Sequence, residues 1–186
     1  MNHHVCCGME PVYQPSDDSY LLSRHVERLA EGRVLDIGTG SGIQAVTAAQ
    51  KLVVNYVLAT DINPLSIDTA KRRAREAGVI YKMEFVVSNL FENVQGAFDW
   101  IIFNPPYLPS EGNLSDQTWS GGPKGAEVIE CFLKGARDHL SLEGSILLVF
   151  SSETGMKPEG HGYYWEVLEE VAIFFEVLYC AKLNPF

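Results

Sequence analysis

Long hydrophobic runs are missing from this 186-residue sequence: no apolar stretch reaches the roughly 18 residues that a membrane-crossing helix needs. A basic leader followed by an apolar segment is missing too, since the chain opens MNHHVCCGME, so no secretory signal is expected. Cysteine is scarce. Cys6, Cys7, Cys131 and Cys180 form no C-x-x-C pair, and adjacent cysteines cannot easily bridge each other, so no disulfide framework is expected and a reducing cytosol fits. His3, His4, Cys6 and Cys7 are metal-ligand residue types, but residues 1–10 read as a flexible tail and no metal is expected. Positive charge is also short, with a net charge of −10. A chain this acidic is repelled by phosphate backbones, which makes naked DNA or RNA a poor partner.

What is present is ordinary for a globular protein: 46% hydrophobic and 20% charged residues, which excludes disordered and fibrous classes. At about 100–200 residues per domain, the length predicts one domain over 1–186. Residues 51–100 balance six acids with six bases, whereas residues 101–186 carry twelve acids against five bases. The one basic cluster, Lys71, Arg72, Arg73 and Arg75, reads as a solvated helix face.

Short apolar runs alternate with amphipathic stretches, the pattern of an α/β protein with a mainly parallel sheet and helices on both faces. Helices are predicted at 19–31, 42–51, 64–77, 126–140 and 164–171. Strands are predicted at 33–37, 55–61, 83–87, 98–103, 145–150 and 174–183, and 108–124 reads as a long loop.

Two motifs carry chemistry. The first is Asp36-Ile37-Gly38-Thr39-Gly40-Ser41-Gly42, between the first strand and its helix. Its G-x-G-x-G spacing differs from the G-x-G-x-x-G that holds a pyrophosphate on a helix N-terminus. The Asp36 carboxylate in the mouth of the loop suits a cationic group instead. Asp61 ends the second strand, where a carboxylate can accept both hydroxyls of a ribose. Together they point to an adenosine-type ligand bearing a positive charge. The second motif is Asn104-Pro105-Pro106-Tyr107, after the fourth strand. Two prolines remove two N–H donors and leave acceptors: the Asn104 side-chain oxygen and the Pro105 carbonyl. Two acceptors can hold the two hydrogens of a planar NH₂ group, and Tyr107 offers a flat face to stack on it.

DIGTGSG followed by ATDIN resembles the cofactor loop and ribose acid of the Rossmann-like S-adenosylmethionine-dependent methyltransferases. The resemblance implies that Asp36 meets the methionine amino end and that Asp61 holds the ribose. It also implies that the backbones of Gly38 and Gly40 lie against the cofactor and that Ser88-Asn89-Leu90 flanks the adenine. The family usually has Asp where Asn89 stands, but the Asn carbonyl oxygen still offers an acceptor. The NPPY tetrapeptide is similar to that of methyltransferases acting on exocyclic or amide nitrogens, whose substrates are adenine in nucleic acid or glutamine in protein.

Val12-Tyr13-Gln14-Pro15-Ser16-Asp17-Asp18-Ser19 narrows the branch. Read from the residues alone, Asp18 or Ser19 caps the first helix. The segment also resembles the opening V-Y-E-P-x-E-D-[ST] of the HemK/PrmC protein-glutamine methyltransferases, which implies that the helix start, Ser19 with it, covers the cofactor. Gln14 departs from that pattern, which has an acid there. Trp119–Ile129 (WSGGPKGAEVI) is similar to the W-x-G-G-x-x-G-x-E-V of the archaeal and eukaryotic branch, which lacks an N-terminal helical domain. The resemblance implies methylation of the glutamine in the Gly-Gly-Gln loop of a class I peptide-chain release factor, in the cytoplasm. It also implies a small zinc-binding activator against an apolar sheet edge, near Val53, Val54, Tyr56, Val57 and Leu58. The family adds one more strand, antiparallel, between strands five and six. The chain ends just after its sixth predicted strand, so the sheet is expected to lack it. The alternatives are an adenine-N6 methyltransferase, a protein lysine methyltransferase and a non-catalytic cofactor-binding scaffold.

Overall fold

Strand β1 (Gly32–Ile37) is short and becomes fully buried after Arg33, as a central parallel strand must. In the computed structural model, which describes residues 12–106, 126–156 and 161–186, it lies between β2 (Val54–Asp61) and β4 (Phe98–Phe103), parallel to both. Beyond β2 lies β3 (Met83–Val87), and beyond β4 lies β5 (Leu140–Ser151). Two further strands, β6 (Tyr163–Ile173) and β7 (Glu176–Pro185), complete a sheet of order β3-β2-β1-β4-β5-β7-β6. The order reverses at β1, so a crevice opens at the C-terminal ends of β1 and β4, where open α/β sheets bind ligands.

Helices cover both faces. The apolar sides of α1 (Asp17–Leu29), α2 (Ile43–Gln50) and α3 (Pro64–Glu76) give Leu21, Leu22, Val26, Ala45, Ala48, Ala49 and Ala74 to one core. On the opposite face, α4 (Glu127–Ala136) packs Ile129, Phe132, Leu133 and Ala136 against Ile101, Phe103, Ile146 and Leu148. Pro64 sits in the first turn of α3, and the Asn63 side chain caps that helix by accepting from the Leu65 amide at 3.0 Å. Helix α1 begins two residues earlier than its apolar pattern indicates. Its N-cap is Ser16, not Asp18 or Ser19, and the Ser16 side chain makes no capping hydrogen bond; the Asp18 carboxylate instead accepts from the first-turn amide of Ser19 at 2.6 Å.

The C-terminal third departs from expectation. Residues 164–171 are strand, not helix, and the segment read as the sixth strand is the seventh. β7 runs antiparallel between β5 and β6, so the slot expected to be vacant is filled. The cause is a bulge between Val167 and Glu169. Before it, Tyr163 and Trp165 face the α4 side; after it, Val171 and Ile173 face the α1 side. One extra residue breaks the period of two and leaves apolar spacings of three that mimic a helix. The bulge also turns Glu169 toward α1, where its carboxylate meets Arg24 at 2.6 Å and His25 at 2.8 Å. Arg24 holds that carboxyl below its ordinary value.

The stretch read as near a sheet edge is interior. Val54, Val57 and Leu58 are buried in β2, which is paired on both sides; Val53 stands exposed before it. The edge on that side is β3. Residues 1–10, Tyr107 and the 108–124 loop lie outside the described residues.

Candidate active site

After β1 the chain turns sharply through Gly38, Gly40 and Gly42, with φ of 63°, 52° and 81°. Gly42 is required for packing as well as for φ: a Cβ there would stand 2.8 Å from both Cα and Cβ of Ala70 on α3. The other two face open space. A Cβ at Gly40 would meet nothing nearer than the Gly38 carbonyl at 3.9 Å, and one at Gly38 only Phe103 at 3.6 Å. The turn therefore forms a cradle whose floor is bare backbone.

Two carboxyls flank the cradle. Asp36 is 1% exposed. Its Oδ2 accepts from Thr39 Oγ1 at 2.6 Å and from the Ala45 amide at 3.1 Å. Burial pushes its pKa up to about 7, Thr39 and Ala45 pull it back, and the charge of Asp61 raises it further. A carboxyl so desolvated, with no cation beside it among the described residues, suits an incoming ammonium group. Asp61 Oδ2 accepts from the Gly40 amide at 2.9 Å and its Oδ1 from the Asn63 amide at 2.8 Å. Each oxygen keeps a further lone pair for a hydroxyl donor. Burial raises this carboxyl also, against those two amides.

The third wall is the turn after β3. The Ser88 amide donates to the Asp61 carbonyl at 2.9 Å, which fixes the turn beside β2. Exposed Asn89 donates through Nδ2 to Glu92 at 3.0 Å. Its carbonyl oxygen is left as the acceptor. Leu90 has a φ of 47°, a left-handed conformation rare for a bulky residue. Ser88 holds it there by donating to its carbonyl at 2.9 Å.

The amide end lies where β4 meets the start of α1. Asn104 donates through Nδ2 to Asp18 Oδ2 at 3.0 Å. Its Oδ1 is buried and finds no partner among the described residues. Pro105, next in the chain, is buried and Pro106 half-buried. Asp18 escaped the sequence reading as a functional residue, because an acid in a first helical turn already has a role there. Ser19 is buried, and its carbonyl accepts from Gln44 Nε2 at 2.8 Å. Gln44 Oε1, like Asn104 Oδ1, is buried and unpartnered among the described residues. Ser19, Asp36, Gly38, Gly40, Asp61 and Asn104 thus gather at one end of the sheet, with Asn89 and Leu90 on its rim.

The sheet order, with β7 antiparallel between β5 and β6, is that of the Rossmann-like methyltransferase fold. Residues 15–174 match the methyltransferase small domain family. A Methanocaldococcus jannaschii protein named as a protein N5-glutamine methyltransferase is 37% identical over 151 residues, covering 78% of this chain and 75% of that one. The mouse methyltransferase HEMK2 is 31% identical, covering 81% of this chain and 77% of its own. The release factor glutamine methyltransferase of Neisseria gonorrhoeae is 31% identical, but the match spans only 57% of its length. Among solved structures, the ribosomal protein L11 methylase of Lactobacillus delbrueckii subsp. bulgaricus shares the fold with a TM-score of 0.66. It is 20% identical, and the match covers 94% of this chain and 81% of that one. The chain belongs to the methyltransferase small domain family, and its cofactor is S-adenosylmethionine.

Proposed function

We propose that this enzyme methylates the side-chain amide nitrogen of glutamine in the Gly-Gly-Gln loop of a class I peptide-chain release factor. The observation that carries the reading is the Asn104 carboxamide: its Nδ2 is tied to Asp18, while its Oδ1 is buried and unpartnered among the described residues. A buried acceptor of this kind costs about 1–3 kcal/mol unless something donates to it. A glutamine amide has two hydrogens to give, one for Asn104 Oδ1 and one for the Pro105 carbonyl. Accepting both pushes electron density onto the amide nitrogen as it attacks, so charge is stabilised where it develops. To Tyr107, outside the described residues, we assign stacking on the planar amide. The names of the archaeal and bacterial relatives support glutamine as the acceptor.

Bound in the cradle, S-adenosylmethionine would supply the methyl group from a sulfonium, whose S–CH₃ bond breaks to leave a neutral thioether while the amide nitrogen releases one proton to solvent. The chain's residues do the rest. Asp36 receives the ammonium end, Asp61 the ribose hydroxyls, and the backbones of Gly38 and Gly40 lie against the cofactor. Asn89 Oδ1 and Leu90 meet the adenine, and Ser19 closes the cover. The reading carries a cytoplasmic location, where release factors act. It also carries a small zinc-binding activator, which we assign to the β3 edge, since β3 has a single neighbour among the described strands and both Val87, its last residue, and Tyr81, just before it, are exposed.

Transfer of labelled methyl from S-adenosylmethionine to a purified class I release factor tests the substrate. Label is expected on the Gly-Gly-Gln glutamine. Label confined to adenine oligonucleotides or to a lysine peptide overturns the reading. Saturating activity without any zinc-binding subunit, unchanged on adding one, would remove the activator.

A further inference from the structure

We infer that Asp18 is a positioning residue: its carboxylate dictates which atom of the Asn104 side chain faces the substrate. The inference deepens the proposed amide clamp and rests on it. Asn104 ends β4, and Asp18 stands in the first turn of α1, 86 residues away in sequence. Asp18 is 3% exposed. Its Oδ1 accepts from the Ser19 amide at 2.6 Å, from the Ser16 and Tyr13 hydroxyls at 2.9 Å each, and from the Ser19 hydroxyl at 3.2 Å. Its Oδ2 is left for Asn104 Nδ2 at 3.0 Å.

A carboxylate only accepts, so the Asn104 group turned toward it must be the amino group. The carbonyl oxygen must then face away, and there it has no partner among the described residues. An asparagine has two faces that nearly coincide in shape; nothing in its own sterics decides between presenting an acceptor and presenting two donors. Asp18 decides. Its negative charge also polarises the Asn104 amide and strengthens the acceptor at the far end. The opening segment thereby shares in the amide clamp as well as the cofactor cover.

The substitution Asp18→Asn isolates this role because it keeps the shape. The donors around Oδ1 require an oxygen there, so Asn at position 18 turns its own Nδ2 toward Asn104. Asn104 must then rotate, offer its oxygen to position 18, and present hydrogens to an incoming NH₂ group. The clamp becomes repulsive while the contacts that anchor α1 survive. In D18N, kcat for methyl transfer to the release factor is expected to fall about 100-fold, the scale of a misplaced catalytic group. The melting temperature and the cofactor dissociation constant should be unchanged. Wild-type kcat in a folded D18N protein overturns the inference, as does a loss of kcat matched by loss of fold or of cofactor affinity, which marks a merely structural anchor. A second readout needs neither variant nor substrate. In ¹⁵N-labelled wild-type protein, one Asn104 side-chain proton should resonate downfield and exchange slowly with solvent; a random-coil signal overturns the inference. Absence of wild-type transfer to glutamine with that signal present would instead sink the substrate assignment and leave the Asp18–Asn104 pair standing.

Discussion

Among the described residues, Asp18 accepts hydrogen bonds from five donor groups, whereas Asp36, no less buried, accepts from two. Both stand at the same end of the sheet, within one family of contacts. The surplus of donors makes Asp18 part of the frame, an anchored acceptor that orients a neighbour. The shortage at Asp36 leaves desolvation dominant and its pKa near 7, which is the state of a group awaiting a cation. The same side chain serves as scaffold or as receptor according to how many N–H and O–H groups the local backbone brings to it.

The largest effect expected at the frame end follows Asn104→Ala. Removing a preorganised acceptor should lower kcat by about 100–1000-fold with cofactor affinity intact, read by single-turnover transfer and calorimetry. Equal losses in both would erase the division between the two ends. At the receptor end, Asp61→Ala should weaken cofactor binding by about 1–3 kcal/mol, the cost of a lost charge-assisted contact. Unchanged affinity would remove Asp61 from the ribose.

The titration of Asp36 sharpens the contrast further. An ammonium binds its ionised form, so cofactor affinity should fall about tenfold per unit as pH drops below about 7. Asp36→Asn should flatten that profile. The stability of the ligand-free protein has the opposite sign. The carboxyl ionises near 3.8 when unfolded and near 7 when folded, so the folded state holds the extra proton between those values. This group's contribution to stability is therefore lost progressively as pH rises through that window and is constant above it. The smallest effect is at the cradle. Gly40→Ala meets no atom nearer than 3.9 Å and should cost about 1 kcal/mol for its left-handed backbone, by thermal melting. Gly42→Ala should cost more, because the new Cβ also collides with Ala70.

Most of the candidate site was legible because its signals are local. Asp36, the glycines of the turn and Asp61 lie at strand ends that their own apolar runs mark out, and β1, β2, β3 and β4 fall where those runs place them. Asn104 needed only the two prolines after it. The Asp18–Asn104 contact was not legible, because it joins positions whose nearness exists only once α1 folds over the end of β4. The error at 164–171 has a different origin. The residue inserted at the bulge shifted the alternation by one position, and a helix and an interrupted strand then spell similar apolar spacings.

The hairpin made by β6 and β7 sets the order of assembly. Its two arms meet across Phe174 and Phe175, so they close a short loop and can zip on the microsecond scale of such pairings, before any distant partner is found. Among the described strands, however, β5 receives its second neighbour only from β7. A nascent chain that has not yet delivered Glu176–Pro185 leaves β5 a bare, apolar template, and it is over that interval of synthesis that this protein is most exposed to pairing with the wrong strand.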